Sequence, residues 1–443
     1  MKGNKYNLGL NNPKLYIRTF GCQMNDYDSI LIAESLAEFG YSLTSDIKQA
    51  DLILFNTCAV RGLAEHKAVS ELGTTRRLKE KKPNLVVGMI GCVAQKLGKD
   101  LARKYSFIDF VLGTKDMYKL SEFLKVKESK PLIQTNLNYE IKGYQTKKVD
   151  SVSAYVTVVR GCTHFCTYCI VPYVRGKEES RSLYEIEEEI KTLVGNGVKE
   201  IVLLGQNVNV YGNDIDTNLE TLLLNLSAID DLKRIRYLTS HPKSVNAKFI
   251  ESVKDIPKVC THIHIPFQSG SDTILKKMNR QHTCFEYIEK VKLLRKSIPN
   301  IGITSDIIVG FPGETEEDFL ATVSVLEECR LDNVYSFKYS PREGTIAFKN
   351  MLDDVSKQEK ERRLEYLHQV TDKIALEINE GVLGQTQEVL WENIKEYQGK
   401  EVLEGRTNNF KKIFSDFQEG KVGTIDTVKI LKVTKNSLVG ESI

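Results

Sequence analysis

The chain of 443 residues carries a formal charge of +3, and 41% of its residues are hydrophobic, which is enough for ordinary apolar cores. This length predicts about three domains, and no apolar run is long enough to cross a bilayer. Nine cysteines in a chain whose N-terminus lacks an apolar export signal predict a reducing, cytoplasmic compartment and metal or redox use, not disulfides.

The first third of the chain contains three predicted strand–helix units. The predicted strands are Leu15–Phe20, Leu52–Asn56 and Leu85–Ile90, and the predicted helices are Asp28–Phe39 and Leu63–Lys79. Cys22, Cys58 and Cys92 follow the three strands at spacings of 36 and 34 residues, which fit one strand and one helix. If the strands are parallel, the thiols share the carboxyl edge of one sheet, where α/β folds bind ligands. The pattern favours a three-cysteine iron–sulfur site with one open iron; the alternative is three unrelated buried cysteines.

Positive charge is concentrated in the same part of the chain. Between Arg61 and Lys104 there are eleven Lys or Arg residues and four Asp or Glu residues. This excess predicts either a nucleic-acid contact or a solvated helical face. From Phe123 to Val149 the periodicity fades, and we interpret this stretch as a connection between domains.

The middle of the chain begins with a C-x3-C-x2-C array formed by Cys162, Cys166 and Cys169 after a predicted strand, Tyr155–Arg160. Three thiolates can hold three irons of a four-iron cluster and leave the fourth iron open to a substrate or cofactor. The alternative is a structural zinc site with His164 as the fourth ligand, although no second C-x2-C pair is present.

After this array, strand and helix patterns alternate and predict six βα units. The later strands are Glu200–Leu204, Ile235–Leu238, Thr261–Ile265, Gly302–Val309 and Asn333–Phe337. A parallel barrel of such units places its active site at the carboxyl ends of the strands. His262 and His264 share one strand face and are predicted to be hydrogen-bonded or packed. Cys260, Cys284 and Cys329 are predicted packing residues.

The tail begins with a predicted helix, Lys357–Ile378, and continues as five short strands that predict a small antiparallel barrel. Residues 382–443 hold nine basic and nine acidic residues, so net charge indicates nothing here. The stretch GRTNNFKKIF interleaves Arg406, Lys411 and Lys412 with Phe410 and Phe414, a mixture that suits phosphate contacts beside base stacking or an ordinary barrel face.

The central array, with Tyr168 before its last cysteine, resembles the radical S-adenosylmethionine enzymes. In that family the amino and carboxylate groups of S-adenosylmethionine chelate the open iron. An electron from the cluster then cleaves the sulfonium to give a 5′-deoxyadenosyl radical. The resemblance implies that Cys162, Cys166 and Cys169 hold the radical-generating cluster.

Two three-cysteine sites in this order resemble the methylthiotransferases, and the resemblance covers nearly the whole chain. It implies an α/β N-terminal domain over 14–126 with an auxiliary cluster, an open (β/α)6 partial barrel over 148–378 and a small β-barrel of the TRAM type over 382–443. The stretches Gly21–Ser29, Asn56–Arg61, Gly91–Cys92 and Cys166–Arg181 resemble the tRNA-modifying branch called MiaB. The tripeptide Gln23-Met24-Asn25 differs from the sequences typical of the other two branches.

The resemblance implies an enzyme that places a methylthio group on C2 of N6-isopentenyladenosine beside the tRNA anticodon. Its cofactors would be two [4Fe-4S] clusters and S-adenosylmethionine, with an electron donor such as flavodoxin or ferredoxin and no membrane partner. The residues expected to bind S-adenosylmethionine are Gln206, Asn207, Gln268, Ser269, Gly310 and Glu314. The residues expected to contact the tRNA are Arg181, Arg280, Arg406, Lys411 and Lys412, and surface ion pairs are the alternative for Arg181 and Arg280.

Two other functions remain open on sequence grounds. One is a methylthiotransferase that acts on N6-threonylcarbamoyladenosine in tRNA or on a ribosomal-protein aspartate. The other, of a different class, is a non-catalytic iron–sulfur RNA-binding protein, which the polar loops at the predicted strand ends argue against.

Overall fold

The computed structural model describes residues 12–60, 62–125, 131–138, 143, 145–397 and 399–443. The chain forms two compact units, one of Met1–Lys147, Arg160–Thr163 and Cys169–Arg181, the other of Lys148–Val159, His164–Tyr168 and Ser182–Ile443. Arg61 and part of the predicted connection after Phe123 lie outside the described residues. No helix among the described residues is long and apolar enough to span a membrane.

The first unit is built on a parallel sheet. Its strands are β1 (Lys14–Thr19), β2 (Ser42–Leu43), β3 (Leu52–Thr57), β4 (Val86–Gly91), β5 (Phe110–Leu112) and β6 (Leu132–Gln134). Its helices in this stretch are α1 (Gln23–Ala37), α2 (Gly62–Thr74), α3 (Arg76–Lys81), α4 (Cys92–Lys104) and α5 (Leu120–Phe123). The strand order is β2-β1-β3-β4-β5-β6, and each ladder is parallel.

The predicted central strands of this sheet are confirmed for a simple reason. The sequences LILFNT of β3 and VVGMIG of β4 are buried at every position, as expected of parallel strands covered on both faces. The predicted helix Leu63–Lys79 is divided at Thr75, whose hydroxyl donates to the Leu72 carbonyl at 2.7 Å. Strands β5 and β6 were not predicted, because three-residue strands are too short to show a periodicity.

The next part of the chain supplies the parallel strands of the second unit and, within Arg160–Thr163 and Cys169–Arg181, short elements of the first unit. The strands are β7 (Ser153–Thr157), β8 (Val159–Arg160), β9 (Glu179–Ser180), β10 (Glu200–Leu204), β11 (Arg234–Tyr237), β12 (His262–His264), β13 (Gly302–Val309) and β14 (Asn333–Lys338). The helices are α6 (Val171–Arg175), α7 (Leu183–Gly195), α8 (Leu219–Ser227), α9 (Ala247–Val253), α10 (Asp272–Lys277), α11 (Cys284–Ser297), α12 (Glu316–Cys329), α13 (Ile346–Asn350) and α14 (Lys357–Glu380).

These strands pair in chain order, which confirms the predicted sequence of six βα units. Strands β7, β10 and β11 form one parallel sheet, and β12, β13 and β14 form another. A single parallel bridge between Ile235 and Val259 joins the two sheets. The carboxyl ends of all six strands therefore face the same way, as an open partial barrel requires.

The tail strands close into a small barrel, as predicted. They are β15 (Thr386–Tyr397), β16 (Lys400–Thr407), β17 (Lys412–Asp416), β18 (Ile425–Val433) and β19 (Leu438–Ser442), in the order β15-β16-β17-β19-β18. The ladder between β17 and β19 is parallel, so the barrel is not wholly antiparallel. Fully buried Trp391 lies in its core and donates its indole N–H to Asp426 at 3.0 Å.

The small barrel packs against the amino ends of the parallel strands in the second unit. Arg234, at the start of β11, donates to the Arg406 carbonyl at 2.8 Å, and Phe410 stacks on His262, at the start of β12, with ring centroids 4.5 Å apart. A Cβ added to Gly302, the first residue of β13, would lie 2.3 Å from the Asn409 carbonyl oxygen. The tail thus covers one end of the strands and leaves their carboxyl ends, the usual position of an active site, uncovered by these contacts.

Candidate functional site

The three N-terminal cysteines of the first unit lie at the ends of neighbouring strands. Strands β1, β3 and β4 are adjacent in the sheet, Thr19 pairs with Asn56, and Thr57 pairs with Gly91. Cys58 and Cys92 each follow the last residue of a strand, and Cys22 precedes α1. The expectation that the thiols share one carboxyl edge is confirmed, and Cys22 and Cys92 also lie at helix N-termini, where thiolates are stabilised.

Two glycines let these strand ends approach one another. Gly21 has φ +134°, and a Cβ there would lie 2.3 Å from the Cys58 Cβ and 3.1 Å from its sulfur. Gly91 has φ +89°, and a Cβ there would lie 2.7 Å from the Thr57 carbonyl oxygen. A side chain at either position would separate the cysteine-bearing segments, so the glycine before Cys22 and the one before Cys92 set the spacing of the thiols.

Buried amides hold the same segments in place. The Asn25 amide donates to Asn56 Oδ1 at 3.0 Å and to the Thr57 carbonyl at 3.1 Å, and the Asn56 amide donates back to the Asn25 carbonyl at 2.9 Å. The Thr57 hydroxyl donates to the Ile90 carbonyl at 2.6 Å. Both asparagine side chains are fully buried, so breaking one bond would leave a buried polar group unpaired. Asn25, which the sequence offered only as a branch marker, therefore orients the loops of Cys22 and Cys58.

The thiols differ in acidity. A hydrogen bond from Cys58, together with the positive charge of Arg175 and nearby backbone N–H groups, lowers the pKa of Cys22 to about 6 against the opposing effect of burial. The same hydrogen bond and burial raise the pKa of Cys58. Burial also raises the pKa of Cys92, and Arg175 opposes that rise. The site therefore favours one thiolate at neutral pH, which is the form that binds soft metals.

Sequence reasoning missed a buried charge cluster in this unit. Asp28 on α1 accepts from Arg160 at 2.9 Å, from the Tyr118 hydroxyl, and from Arg175 at 3.4 Å. The Asp28 side chain is 0% exposed, and those of Arg160 and Arg175 are 10% and 5% exposed. A basic residue inside the apolar run IVPYVRG was the available signal for Arg175, but a Pro- and Gly-rich stretch indicated only a loop.

The donor set at this sheet edge has the soft thiolate chemistry that an iron–sulfur cluster requires. Among the described residues, no group of three or more His, Cys, Asp or Glu side chains converges as one metal ion would require. A single zinc ion needs donors at about 2 Å from one centre, whereas each thiolate of a four-iron cluster binds its own iron. Three buried or half-buried sulfurs at one sheet edge, with an arginine beside them, suit such a cluster and its negative charge.

The central cysteine loop is divided between the units, and each part is held by its own contacts. In the first unit, the Cys162 N–H donates to the Gly176 carbonyl at 3.0 Å. In the second unit, Cys166 lies 3.5 Å from Arg280 Nη1, and the Asn279 amide donates to the carbonyls of His164 and Phe165 at 3.2 Å. Backbone and side-chain hydrogen bonds thus shape the loop.

A histidine cluster lies beside Cys166 in the second unit. Asn207 donates to His164 Nε2 at 3.1 Å and accepts from the His241 N–H at 3.2 Å, and the His164 and His241 rings stack 4.1 Å apart. His164, the fourth ligand of the zinc alternative, is thereby engaged with Asn207. Burial and Arg280 lower the pKa of His282 to about 3, so this imidazole is neutral at physiological pH. Asn207 positions these rings, and Gln206 beside it is half-buried.

The other residues expected to bind S-adenosylmethionine are placed differently from one another. Gln268 has φ +72° and bridges to β13 through its backbone, with N–H···O distances of 2.9 and 3.0 Å. The Ser269 hydroxyl lies 3.5 Å from that of Thr322 on α12, within the unit's own packing. Glu314 is buried, accepts from the Gly310 N–H at 2.6 Å, and pairs with Arg363 at 2.7 Å. Gln268 and Gly310 thus contribute backbone groups to these loops, while the side chains of Ser269 and Glu314 hold the loops in place. A role in binding S-adenosylmethionine stays a prediction for all of them.

Two of the predicted substrate arginines are also positioned by the fold. Arg181 donates to the Tyr27 hydroxyl at 3.1 Å in the first unit. Arg280 donates to the Pro266 carbonyl at 2.7 Å in the second unit, next to Cys166. Their contact with tRNA stays a prediction.

The tail cations are divided between the protein's own contacts and its surface. Arg406 pairs with Glu392 at 3.3 Å and lies over the Phe410 ring, and Lys411 pairs with Asp332 at 2.8 Å. A phosphate contact by either would have to compete with these pairs. The Lys412 side chain is 38% exposed with a weaker partner, Glu404, at 3.5 Å. Lys412 is therefore the member of the predicted set best placed for a ligand in solution.

The remaining predictions concern the paired histidines, the three other cysteines and the basic stretch. His262 and His264 both contact the Thr304 hydroxyl, at 3.1 and 2.9 Å, which confirms hydrogen bonding on one strand face. Cys260 and Cys329 are buried, and Cys284 is half-buried. In the basic stretch, seven basic residues are exposed on helices α2 to α4 of the first unit: Lys67, Arg76, Arg77, Lys81, Lys99, Arg103 and Lys104.

Comparison with known proteins covers both cysteine sets. Residues 156–326 match the model of the Radical SAM superfamily. Residues 14–113, which hold the strand-end cysteines, match the model described as Uncharacterized protein family UPF0004.

Two relatives match this chain over nearly its whole length. A protein of Acetivibrio thermocellus named tRNA-2-methylthio-N(6)-dimethylallyladenosine synthase is 43% identical over 97% of this chain and 91% of its own length. A protein of the same name from Thermodesulfovibrio yellowstonii is 43% identical over 97% of this chain and 98% of its own length. Among solved structures, the radical S-adenosylmethionine methyltransferase TsrM from Kitasatospora setae has a TM-score of 0.56 at 14% identity, covering 76% of this chain and 74% of its own, which shows a shared fold.

Proposed function

The chain belongs to the tRNA-2-methylthio-N(6)-dimethylallyladenosine synthase family of radical S-adenosylmethionine methylthiotransferases, and we propose that it methylthiolates C2 of N6-isopentenyladenosine next to the tRNA anticodon. The observation that carries this proposal is the pairing of two cysteine sets in one chain: Cys22, Cys58 and Cys92 on neighbouring strand ends, and the C-x3-C-x2-C loop.

The two cysteine sets fit two four-iron clusters with separate tasks. Cys162, Cys166 and Cys169 would hold a cluster that supplies the electron for cleavage of S-adenosylmethionine, and Cys22, Cys58 and Cys92 would hold one that supplies the transferred sulfur. Each set offers three thiolates, so each cluster retains one iron that the protein does not ligate. The electron donor would be a small reduced carrier such as flavodoxin or ferredoxin.

The described side chains around these cysteines hold the loops in place and orient neighbouring groups. Asn25, Asn56 and Thr57 fix the strand-end loops by buried hydrogen bonds. In the second unit, Asn207 orders the histidine rings and Arg280 approaches Cys166. Uncharged imidazoles beside the loop keep the site free of extra positive charge at neutral pH, since burial lowers the pKa of both His241 and His282.

The target adenosine must leave the anticodon stack to be reached. Extrusion of a base costs a few kcal/mol and least from a strand that is already single, which describes an anticodon loop. The exposed cations of α2 to α4 suit the phosphates of such a stem-loop because phosphate contacts supply most of the non-specific affinity. Because the proposed substrate is tRNA, the proposal includes a cytoplasmic location, and it includes a three-domain division at 14–126, 148–378 and 382–443.

A prediction about the tail follows from the exposure of Lys412. The substitution Lys412→Glu is expected to weaken binding of the anticodon stem-loop about three- to tenfold at moderate salt and to reduce the salt slope by about one, because one phosphate contact is lost. The matched control is Lys373→Glu, which makes the same charge change at an exposed position of α14. Fluorescence anisotropy over a salt series measures both. Equal losses in the two variants would show a general charge effect and remove Lys412 from the interface.

Reconstituted enzyme and three substrates test the proposed specificity. With S-adenosylmethionine and reductant, an anticodon stem-loop that carries isopentenyladenosine is expected to gain a methylthio group, while one that carries threonylcarbamoyladenosine and a ribosomal-protein peptide with the target aspartate are not. A methylthio product on the threonylcarbamoyladenosine stem-loop or on the peptide would instead assign the chain to another branch of the family. Absence of 5′-deoxyadenosine with all substrates would favour the non-catalytic RNA-binding alternative.

A further inference from the structure

The buried cluster around Asp28 has one positive charge more than it has negative. Arg160 and Arg175 both lie within ion-pair distance of Asp28, at 2.9 and 3.4 Å, and no other carboxylate of the described residues lies within that distance of either. Tyr118 contributes no charge, because burial raises its pKa well above the usual range. A buried charge without a counter-ion costs several kcal/mol, so the excess requires an anion nearby.

Arg160 is the better satisfied of the two arginines. It makes the shorter contact with Asp28, and its guanidinium lies 5.9 Å from the Tyr27 ring centroid and 4.9 Å from the Tyr118 ring centroid. Arg175 makes one long hydrogen bond to Asp28, at 3.4 Å. The excess charge of the cluster therefore resides mainly on Arg175.

The fold directs Arg175 toward the strand-end cysteines of its own unit. Arg175 is the last residue of α6, whose Val174 packs in the same apolar core as Cys92 and Val93. The Val174 carbonyl accepts from the Thr114 hydroxyl at 2.6 Å, which fixes this turn of helix. The positive charge of Arg175 acts on both Cys92 and Cys22, and it opposes the rise that burial causes in the pKa of Cys92.

We propose that Arg175 is the buried counter-charge of the sulfur-bearing site formed by Cys22, Cys58 and Cys92. Three thiolates around a four-iron core leave a net negative charge, and a sulfur anion on the open iron would add to it. The excess positive charge of the Arg175 cluster balances this charge inside the protein. A nearby cation raises the reduction potential of such a cluster. Arg175 is thus a positioning residue, and the inference rests on the proposed cluster at this site.

The test compares charge removal with charge retention in the full chain. Cys162, Cys166 and Cys169 are first replaced with Ala, so that any cluster observed belongs to the strand-end set. In this background Arg175→Met removes the charge at similar volume, and Arg175→Lys keeps it. Arg160→Met is the matched control, because it removes the other buried arginine that pairs with Asp28.

Electron paramagnetic resonance during a redox titration is the readout, and it does not depend on turnover. Arg175→Met is expected to disfavour the reduced cluster about tenfold, which is a downward shift of about 59 mV for a one-electron couple. Arg175→Lys is expected to restore most of the potential, and Arg160→Met to change it less than Arg175→Met does. If Arg175→Met loses the cluster while Arg175→Lys keeps it, the charge role is also supported.

Two results would overturn the inference. One is an Arg175→Met variant whose cluster has the same reduction potential as the cluster in the chain that keeps Arg175. The other is loss of the cluster in both Arg175 variants, which would show a need for arginine shape and not for charge. If the potential shifts as expected but the chain with all six cluster cysteines makes no methylthio product with any substrate, the proposed function is wrong and the role of Arg175 stands.

Discussion

Replacing Cys22, Cys58 and Cys92 together with Ala is expected to abolish the methylthio product while 5′-deoxyadenosine formation remains measurable. These thiols lie at the ends of β1, β3 and β4, and none of them belongs to the C-x3-C-x2-C loop. Radical generation requires the central loop, whereas sulfur delivery requires the strand-end site. Reconstituted iron should fall from about eight to about four per chain, since one of two four-iron clusters is lost.

The matched control for this variant is the triple replacement of Cys260, Cys284 and Cys329 with Ala. These three thiols lie outside both sets, so the control should keep about eight irons and both products. Liquid chromatography with mass detection measures 5′-deoxyadenosine and the tRNA nucleosides in one reaction. Methylthiolated tRNA from the N-terminal triple variant, with no other sulfur donor added, would rule out the division of labour between the two sets.

The second large effect is expected from Cys166→Ala alone, which should reduce both products to background. Two remaining thiolates cannot hold the radical-generating cluster, and without the radical no base is activated for sulfur insertion. About half of the iron should remain, because the strand-end set is unchanged. The loss of both products from one substitution distinguishes this cysteine from each member of the N-terminal set.

Cys329→Ala is the control for this prediction. Cys329 is buried at 2% exposure in the apolar core of the second unit, on α12. Its replacement should cost stability but not iron, because its sulfur lies in an apolar core. Continued formation of 5′-deoxyadenosine by Cys166→Ala would show that the cleaving cluster is held elsewhere.

Much of this architecture could be predicted from the sequence because its signals are local. Apolar runs such as LILFNT mark buried parallel strands, and Cys58 and Cys92 each follow such a run, while Cys22 follows the more polar strand KLYIRT. Parallel pairing of neighbouring strands then brings Cys22, Cys58 and Cys92 to one edge without further information. The C-x3-C-x2-C loop is recognised by its spacing alone, so both cysteine sets were predictable.

The remainder could not be predicted because it depends on partners that are distant along the chain. Asp28 meets Arg160 and Arg175 more than 130 residues away, and no periodicity links these positions. Lys411 and Asp332 form an ion pair only because the tail barrel packs on the amino ends of the parallel strands. In the sequence, a cation beside an aromatic residue indicates nucleic-acid binding, because the distant carboxylate that pairs with the cation is visible only in the fold.

The measurement that tests the central claim most directly is the nucleoside profile of tRNA from a strain that lacks this protein. Digested tRNA should contain no 2-methylthio-N6-isopentenyladenosine and an increased amount of N6-isopentenyladenosine, and the chain expressed from a plasmid should restore the methylthio nucleoside. The Cys22, Cys58 and Cys92 triple variant should not restore it. An unchanged amount of the methylthio nucleoside in the deletion strain, or loss of the methylthio group from threonylcarbamoyladenosine instead, would contradict the account.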